Sequence, residues 1–188
     1  MIFTAYNDAN FQMTDGGILI KAKPHSDMVV DAQTAAIISN ASYLAQDVEG
    51  DFTFSALVSH RFLSTYDACC LIAYANDKLW SKACFECTEE GEHAVVTVMT
   101  NGLSDDANSV RITGESVWLR MCRKGDVISV QYSENGADWF FVRILHIPLP
   151  NKVRLGILAQ SPVGDGGDFL FRDITLIEGA PANMRFGN

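Results

Sequence analysis

The chain has 188 residues, 48% of them hydrophobic, and its 14 Lys and Arg face 23 Asp and Glu, for a formal charge of −9 and a pI near 4.7. A chain of this length buries roughly 70% of its unfolded surface and needs neither disulfides nor a structural metal to be stable. Its acidic field repels phosphate backbones and anionic headgroups, which argues against nucleic acid and membrane surfaces as partners.

Met1 to Asp8 shows no basic region, no long apolar run and no small-residue cleavage site, so no secretion signal is read and a cytoplasmic location is expected. The turn Asp15-Gly16-Gly17 leads into an apolar strand, Ile18 to Ile20. From Gly50 the chain alternates, with Phe52, Phe54, Ala56 and Val58 on one face, which should be core. Ala68 to Ala75 is continuously apolar, as a central strand covered on both faces would be, and Asn76-Asp77 turns it into Leu79 to Cys87 as a hairpin. That run and Ile144 to Leu149 are the longest apolar stretches, far below the ~18 residues of a membrane span.

Glu89 to Glu92 turns into Ala94 to Thr100, and Lys124-Gly125-Asp126 joins Val117 to Arg123 and Val127 to Ser133 as a second hairpin. Asn135-Gly136 carries the signature of a type I′ turn leading into Trp139 to Leu145. Val153 to Gln160 and Asp168 to Ile177 complete the strands. About ten to thirteen strands are too many for one open sheet, so two stacked antiparallel sheets are expected, although periodicity does not distinguish a sandwich from a barrel. The reading is an all-β fold with a single domain over residues 1–178 and a flexible C-terminal tail over 179–188.

Seven segments in order resemble the domain-of-unknown-function 1349 (DUF1349) family. They are Glu49 to Phe52, Tyr66 to Leu71, Leu79 to Glu86, Val95 to Thr100, Val117 to Asp126, Tyr132 to Trp139 and Leu155 to Pro162. The resemblance spans about His25 to Ile177 and implies a two-sheet antiparallel jelly-roll sandwich of the concanavalin A-like lectin/glucanase kind. Two segments depart from the family pattern. Ser26 to Val30 and Leu103 to Asn108 lack the tryptophans that the family usually carries there. The scaffold does not dictate an activity, so function has to be read from a site.

Strand alternation places Trp80, Lys82, Cys84 and Glu86 on one face, and Ser81, Ala83 and Phe85 on the other. An indole plate beside a cation and a carboxylate suits a sugar, whose apolar ring face stacks while its hydroxyls take hydrogen bonds. The expected partner is a saccharide or small polar ligand on the concave sheet face, with Trp80, Lys82 and Glu86 central and Asp67, Thr100 and Gln160 at the edges. The plainer alternative is an exposed Lys82–Glu86 pair beside a partly buried Trp80, worth about 0–1 kcal/mol.

Hydrolysis needs two carboxylates about 5–9 Å apart, and Glu86 with Asp67 is the candidate catalytic pair for a glycosidase-like enzyme. A third reading is a protein-interaction or oligomerising domain. Trp118 with Arg120, on one face of its strand, reads as core packing, and Trp139, just after the Asn135-Gly136 turn, reads as packing the sandwich end rather than exposed.

No cofactor and no metal are expected. Cys69, Cys70, Cys84, Cys87 and Cys122 read as reduced, core-filling thiols, and Cys84-x-x-Cys87 has no second ligand pair to complete a zinc site. Asp105 to Asn108 and Asp165 to Asp168 read as solvated, oxygen-rich loops without the EF-hand spacing. His25, His60, His93 and His146 are scattered, and no nucleophile elbow, P-loop or dinucleotide motif is present.

Overall fold

The computed structural model describes residues 1–186. Its sixteen strands are β1 (Thr4–Tyr6), β2 (Asn10–Thr14), β3 (Gly17–Ala22), β4 (Met28–Val30), β5 (Ile37–Ser39), β6 (Ser42–Glu49), β7 (Phe52–His60), β8 (Ala68–Asn76), β9 (Leu79–Cys87), β10 (His93–Asn101), β11 (Leu103–Arg111), β12 (Ser116–Lys124), β13 (Val127–Ser133), β14 (Phe140–His146), β15 (Lys152–Gln160) and β16 (Gly167–Glu178). No helix occurs among the described residues.

Two seven-stranded antiparallel sheets face one another. Sheet A runs β1-β6-β15-β8-β9-β10-β11, sheet B runs β14-β13-β12-β7-β16-β3-β2, and β4 pairs with β5 as a separate small ribbon. The fold is a sandwich rather than a closed barrel, because each sheet ends on edge strands.

The alternation read from the sequence is what joins the layers. Phe52, Phe54, Ala56 and Val58 of β7 point inward against Leu71, Ala73, Ala83 and Phe85 of sheet A, all in one apolar cluster. Burial of such side chains is worth about 1.5–3 kcal/mol each and is the main force holding the sheets together.

The expected hairpins β8–β9 and β12–β13 are both formed, with Cys70 opposite Cys84 in the first and Met121 opposite Val130 in the second. The strands missing from the sequence reading lack a clean apolar period. β2 and β11 are mostly exposed edge strands, and β6 is buried through Ser42 to Ala45 but polar beyond. Asp105 to Asn108, read as a loop, therefore lies within edge strand β11.

Two expectations on sheet B need correcting. Gly136 has φ of 76°, but Asn135 is not on the positive side, so the turn is not type I′. Instead the Oδ1 of Asn135 accepts hydrogen bonds from the Ala137 and Asp138 amides, an Asx turn that the carboxamide builds for itself. A Cβ at Gly136 would lie 2.9 Å from the Trp118 indole. Gly136→Ala is expected to cost about 1–2 kcal/mol, from left-handed strain plus that overlap, and urea denaturation would measure it.

Trp118 and Arg120 do not enter the sandwich core, where Val117, Leu119 and Met121 point instead. They lie on the outer face of sheet B, with the Arg120 guanidinium 4.0 Å from the half-buried Trp139 ring and its Nε donating to Gln131 Oε1 at 2.6 Å.

In the C-terminal tail, the Met184 carbonyl accepts from Ser129 Oγ at 2.5 Å and Gln131 Nε2 at 3.1 Å, and Arg185 covers Phe141. Residues 187 and 188 of that tail lie outside the described residues.

Candidate functional site

The central strands of sheet A, β15, β8, β9 and β10, are buried on both faces. Its outer face carries a second apolar cluster of Tyr43, Ala45, Ala68, Cys70, Ile72, Tyr74, Trp80, Cys84, Ala94, Val96, Val98 and Leu158, and Met28 of β4 packs into it. The β4–β5 ribbon is thus a strap laid across one end of this face. It is fastened to β11 through the Val30 amide, which donates to Ser104 Oγ at 2.8 Å, and Ser104 Oγ in turn shares a hydrogen bond with Thr100 Oγ1.

Lys82 holds the strap from below. Its ammonium is 3% exposed and donates to Met28 O at 2.9 Å, Gln160 Oε1 at 2.7 Å and Asp27 Oδ1 at 3.4 Å, one acceptor for each of its three protons. Desolvation is the largest effect and works against the cation, but Asp27 together with Cys84, Cys70 and Glu86 outweighs it, and the pKa is held above the ordinary lysine range. The other end of Gln160 donates to the Tyr66 carbonyl, and the Tyr66 hydroxyl donates to Glu89 Oε1. Tyr66 itself has φ of 67°, a left-handed conformation that costs energy in a bulky residue and that this chain of hydrogen bonds helps to hold.

The strap leaves the neighbouring part of the face open as a cleft of about 310 Å³ lined by Lys82, Glu86 and Gln160 together with Asp27, Asp31, Tyr66, Glu89 and Asp106. Val29, Val96 and Val98 supply the apolar lining. This volume is at the small end of ligand sites, and an apolar surface with a few convergent polar groups is their usual make-up.

Glu86 stands out chemically. It projects from β9 between Ala68 and Ala94 on the flanking strands, is 8% exposed, and has no hydrogen-bond partner for its carboxyl among the described residues. Burial raises its pKa most, Lys82 opposes this, and the negative charges of Asp27, Glu89 and Asp106 add to it, so that it is pushed up to about 8. At neutral pH it is mostly the uncharged acid.

The six residues expected at the site divide evenly. Lys82, Glu86 and Gln160 meet at the cleft, whereas Trp80, Thr100 and Asp67 do not line it. Trp80 shares the face as alternation required, but it is 1% exposed beneath the strap, and its Nε1 donates to the Asp77 carbonyl at 3.2 Å. Its indole offers no plate for a sugar, because Met28 and its neighbours already cover it.

Thr100 is buried opposite Trp80 and is engaged with Ser104. Asp67 is buried with one carboxylate oxygen accepting from Ser161 Oγ at 2.6 Å and the other from the Ser64 amide at 3.1 Å. Ser161 pairs through its backbone with Ser26, so Asp67 secures the segment that leads into the strap. Nor do Lys82 and Glu86 form an exposed ion pair, since both are buried and the partner of Lys82 is Asp27.

Asp27, Asp31, Tyr66, Glu89 and Asp106 were not anticipated. Asp31 ends the first strand of the strap, where its Oδ1 accepts from the Gln33 and Thr34 amides and the Thr34 hydroxyl, which lowers its pKa. Asp106 reaches the cleft because it lies opposite Val98, which lies opposite Lys82. Among the described residues no group of three or more His, Cys, Asp or Glu side chains is arranged to hold a metal ion. All five cysteines are free and buried, and Cys70 and Cys84 meet across β8 and β9 with sulfurs 3.1 Å apart.

Two antiparallel sheets sharing one core, with a strapped cleft on the outer face of one of them, define a concanavalin A-like jelly-roll sandwich. The chain belongs to the family described as "Protein of unknown function (DUF1349)", which matches residues 5–178.

It is 27% identical over 135 residues to "Regulation of enolase protein 1" of Saccharomyces cerevisiae, covering 71% of this chain and 68% of that one. The fold matches the crystal structure of a functionally unknown protein from Saccharomyces cerevisiae with a TM-score of 0.86, at 23% identity and over 93% and 95% of the two chains. It also matches the glycoside hydrolase family 43 (GH43) protein BlXynB from Bacillus licheniformis, with a TM-score of 0.69 and 12% identity. That match covers 86% of this chain but only 32% of the hydrolase. A further match is the carbohydrate-binding module CBM66 from Bacillus subtilis, with a TM-score of 0.60, 13% identity and 93% and 94% coverage.

Proposed function

We propose that this protein is a binding module whose outer-face cleft on sheet A takes a carbohydrate or a similarly small polar ligand. The observation that carries the reading is Glu86, a buried carboxyl facing the cleft without a protein partner. Buried polar groups are nearly always hydrogen-bonded, so one left open at a preformed recess takes its partner from water or from a ligand that displaces that water. The likeness in fold to a carbohydrate-binding module supports a saccharide as that ligand. Catalysis finds less support, because Asp67, the second carboxylate that hydrolysis would use, has both oxygens occupied away from the cleft.

A glycan array followed by titration calorimetry tests this reading. Glu86→Ala and Gln160→Ala are each expected to weaken binding at least tenfold, and Trp80→Phe to leave it within about twofold, because the indole is covered. Failure of every saccharide to bind the folded wild-type protein, or equal binding by wild type and Glu86→Ala, would refute the proposal.

A further inference from the structure

We propose that the ligand of this cleft is a protonated amine carried on a saccharide, an amino sugar or a short oligomer of one, whose ammonium group sits against Glu86. The inference rests on the saccharide reading above and adds the charge of the ligand to it.

The charges around the cleft are unbalanced. Asp27, Asp31, Glu86, Glu89 and Asp106 face it, and Lys82 is the single basic residue in its lining. Lys82 is not available to a ligand, because its three protons are committed to Met28, Gln160 and Asp27. Asp27 is thereby neutralised as its counter-ion. Asp31 has one oxygen engaged by the turn that follows it, while Glu89 accepts from Tyr66 and Asn108.

That leaves Glu86, nine-tenths buried and unpartnered, with the committed Lys82 on one side and the carboxylates of Asp27, Glu89 and Asp106 around it. A neutral ligand would leave this site without the positive charge that its remaining carboxylates call for. An anion would meet repulsion from every side except Lys82. A bare metal ion is disfavoured by geometry, since no three carboxylates converge on one point among the described residues. An ammonium needs no such convergence, because its three protons point to separate acceptors. The apolar lining of Val29, Val96 and Val98 then suits the ring that carries it.

Protonation follows from the same contact. In the free protein burial keeps the Glu86 carboxyl largely protonated at neutral pH, with Asp27, Glu89 and Asp106 adding to the effect and Lys82 opposing it. An arriving ammonium favours the carboxylate, so the O–H proton of Glu86 leaves to solvent while the ligand keeps its own. Binding near pH 7 is therefore accompanied by release of up to one proton, and affinity rises with pH only until loss of the amine's own proton offsets the gain at Glu86.

The experiment is titration calorimetry of the full chain with glucosamine, galactosamine and mannosamine and their β-1,4-linked dimers. The N-acetylated forms and the plain hexoses serve as controls, and each titration is run in two buffers of different ionisation enthalpy. The expected result is that at least one amino sugar binds tenfold or more tightly than its N-acetylated form with net proton release. Glu86→Gln should abolish both the preference and the release while remaining folded by circular dichroism.

Equal binding of the acetylated or neutral sugars overturns the amine inference and leaves the saccharide site standing. Preference for the amine with unchanged proton release in Glu86→Gln overturns the role given to Glu86. No binding by any sugar in the panel overturns the inference, and the broader glycan array then decides the saccharide reading separately.

Discussion

Lys82→Met should be the most damaging single substitution on the outer face of sheet A, lowering stability by about 3–5 kcal/mol, because removing one member of a buried ionic set strands the others. Methionine keeps the length and the packing of the stem but leaves Met28 O and Gln160 Oε1 without their donor and the Asp27 carboxylate without its counter-ion, with only the Met28 amide still donating to its Oδ1. The strap then loses its fastening at the sheet while keeping the one at Ser104. The variant should combine a lowered urea midpoint with increased acrylamide quenching of tryptophan, as Trp80 loses its cover, and with faster proteolysis between Asp31 and Ser39. A stability change under about 1 kcal/mol would show that the ammonium is not what holds the strap.

The second large effect is on pH dependence, and it comes from two buried groups of opposite sign. The Glu86 pKa is raised from about 4.5 to about 8 by burial. The folded state therefore holds a proton that the unfolded chain has released, and the stability Glu86 contributes is complete below pH 4.5 and lost as pH rises through 8.

His60 behaves in the reverse sense. Its ring is enclosed with Phe62, Phe85 and Phe169, and burial lowers its pKa to about 3, against the hydrogen bond to the Phe85 carbonyl and with a small addition from His93. Its contribution is complete above pH 6.5 and lost as pH falls toward 3. Each slope is about 1.4 kcal/mol per pH unit where only one of the two titrates. Between pH 4.5 and 6.5 they cancel, so these groups together produce a plateau there and a decline on either side.

Glu86→Gln removes one limb. The variant should gain stability from pH 3 to 6.5, stay level above that, and exceed the wild type by on the order of 3–5 kcal/mol more at pH 9 than at pH 5. Urea titrations across this range would measure it. A wild-type protein with no loss of stability between pH 6.5 and 9 would mean that Glu86 is not held as the acid. A variant that is more stable yet unable to bind ligand would be the usual sign of a residue kept for function.

Much of this architecture could be read from alternation alone, because period two has a single physical meaning once one face of a strand must be buried. Phe52, Phe54, Ala56 and Val58 pointed inward as expected, and Trp80, Lys82, Cys84 and Glu86 shared the outer face of sheet A. Alternation does not say what lies on top of a face. The strap is two three-residue strands with no usable period, and the acceptors that Lys82 finds are 54, 55 and 78 positions away.

Trp80 therefore read as a platform when it is a covered anchor. Asp67 read as a catalytic partner when it braces Ser161. Asp106 was legible as an acidic residue but not as a lining one, since an exposed edge strand leaves no apolar signal from which its facing could be inferred. The turn at Asn135 went the same way: the dipeptide suggested backbone geometry, while the side chain supplied a different solution.

The strand positions flanking Glu86 carry short side chains. Ala68 and Ala94 stand directly across from it, Cys70 and Cys84 form the next row, and Gln160 stands beyond Ala68. The hollow itself takes its apolar lining from Val96 and Val98 on β10 and Val29 on the strap, side chains whose exchange asks no movement of the backbone. Exchanging one of these valines for alanine or isoleucine would lower or raise the lining by a methyl group or two, so related chains could change what they admit through relief alone, on an unaltered frame.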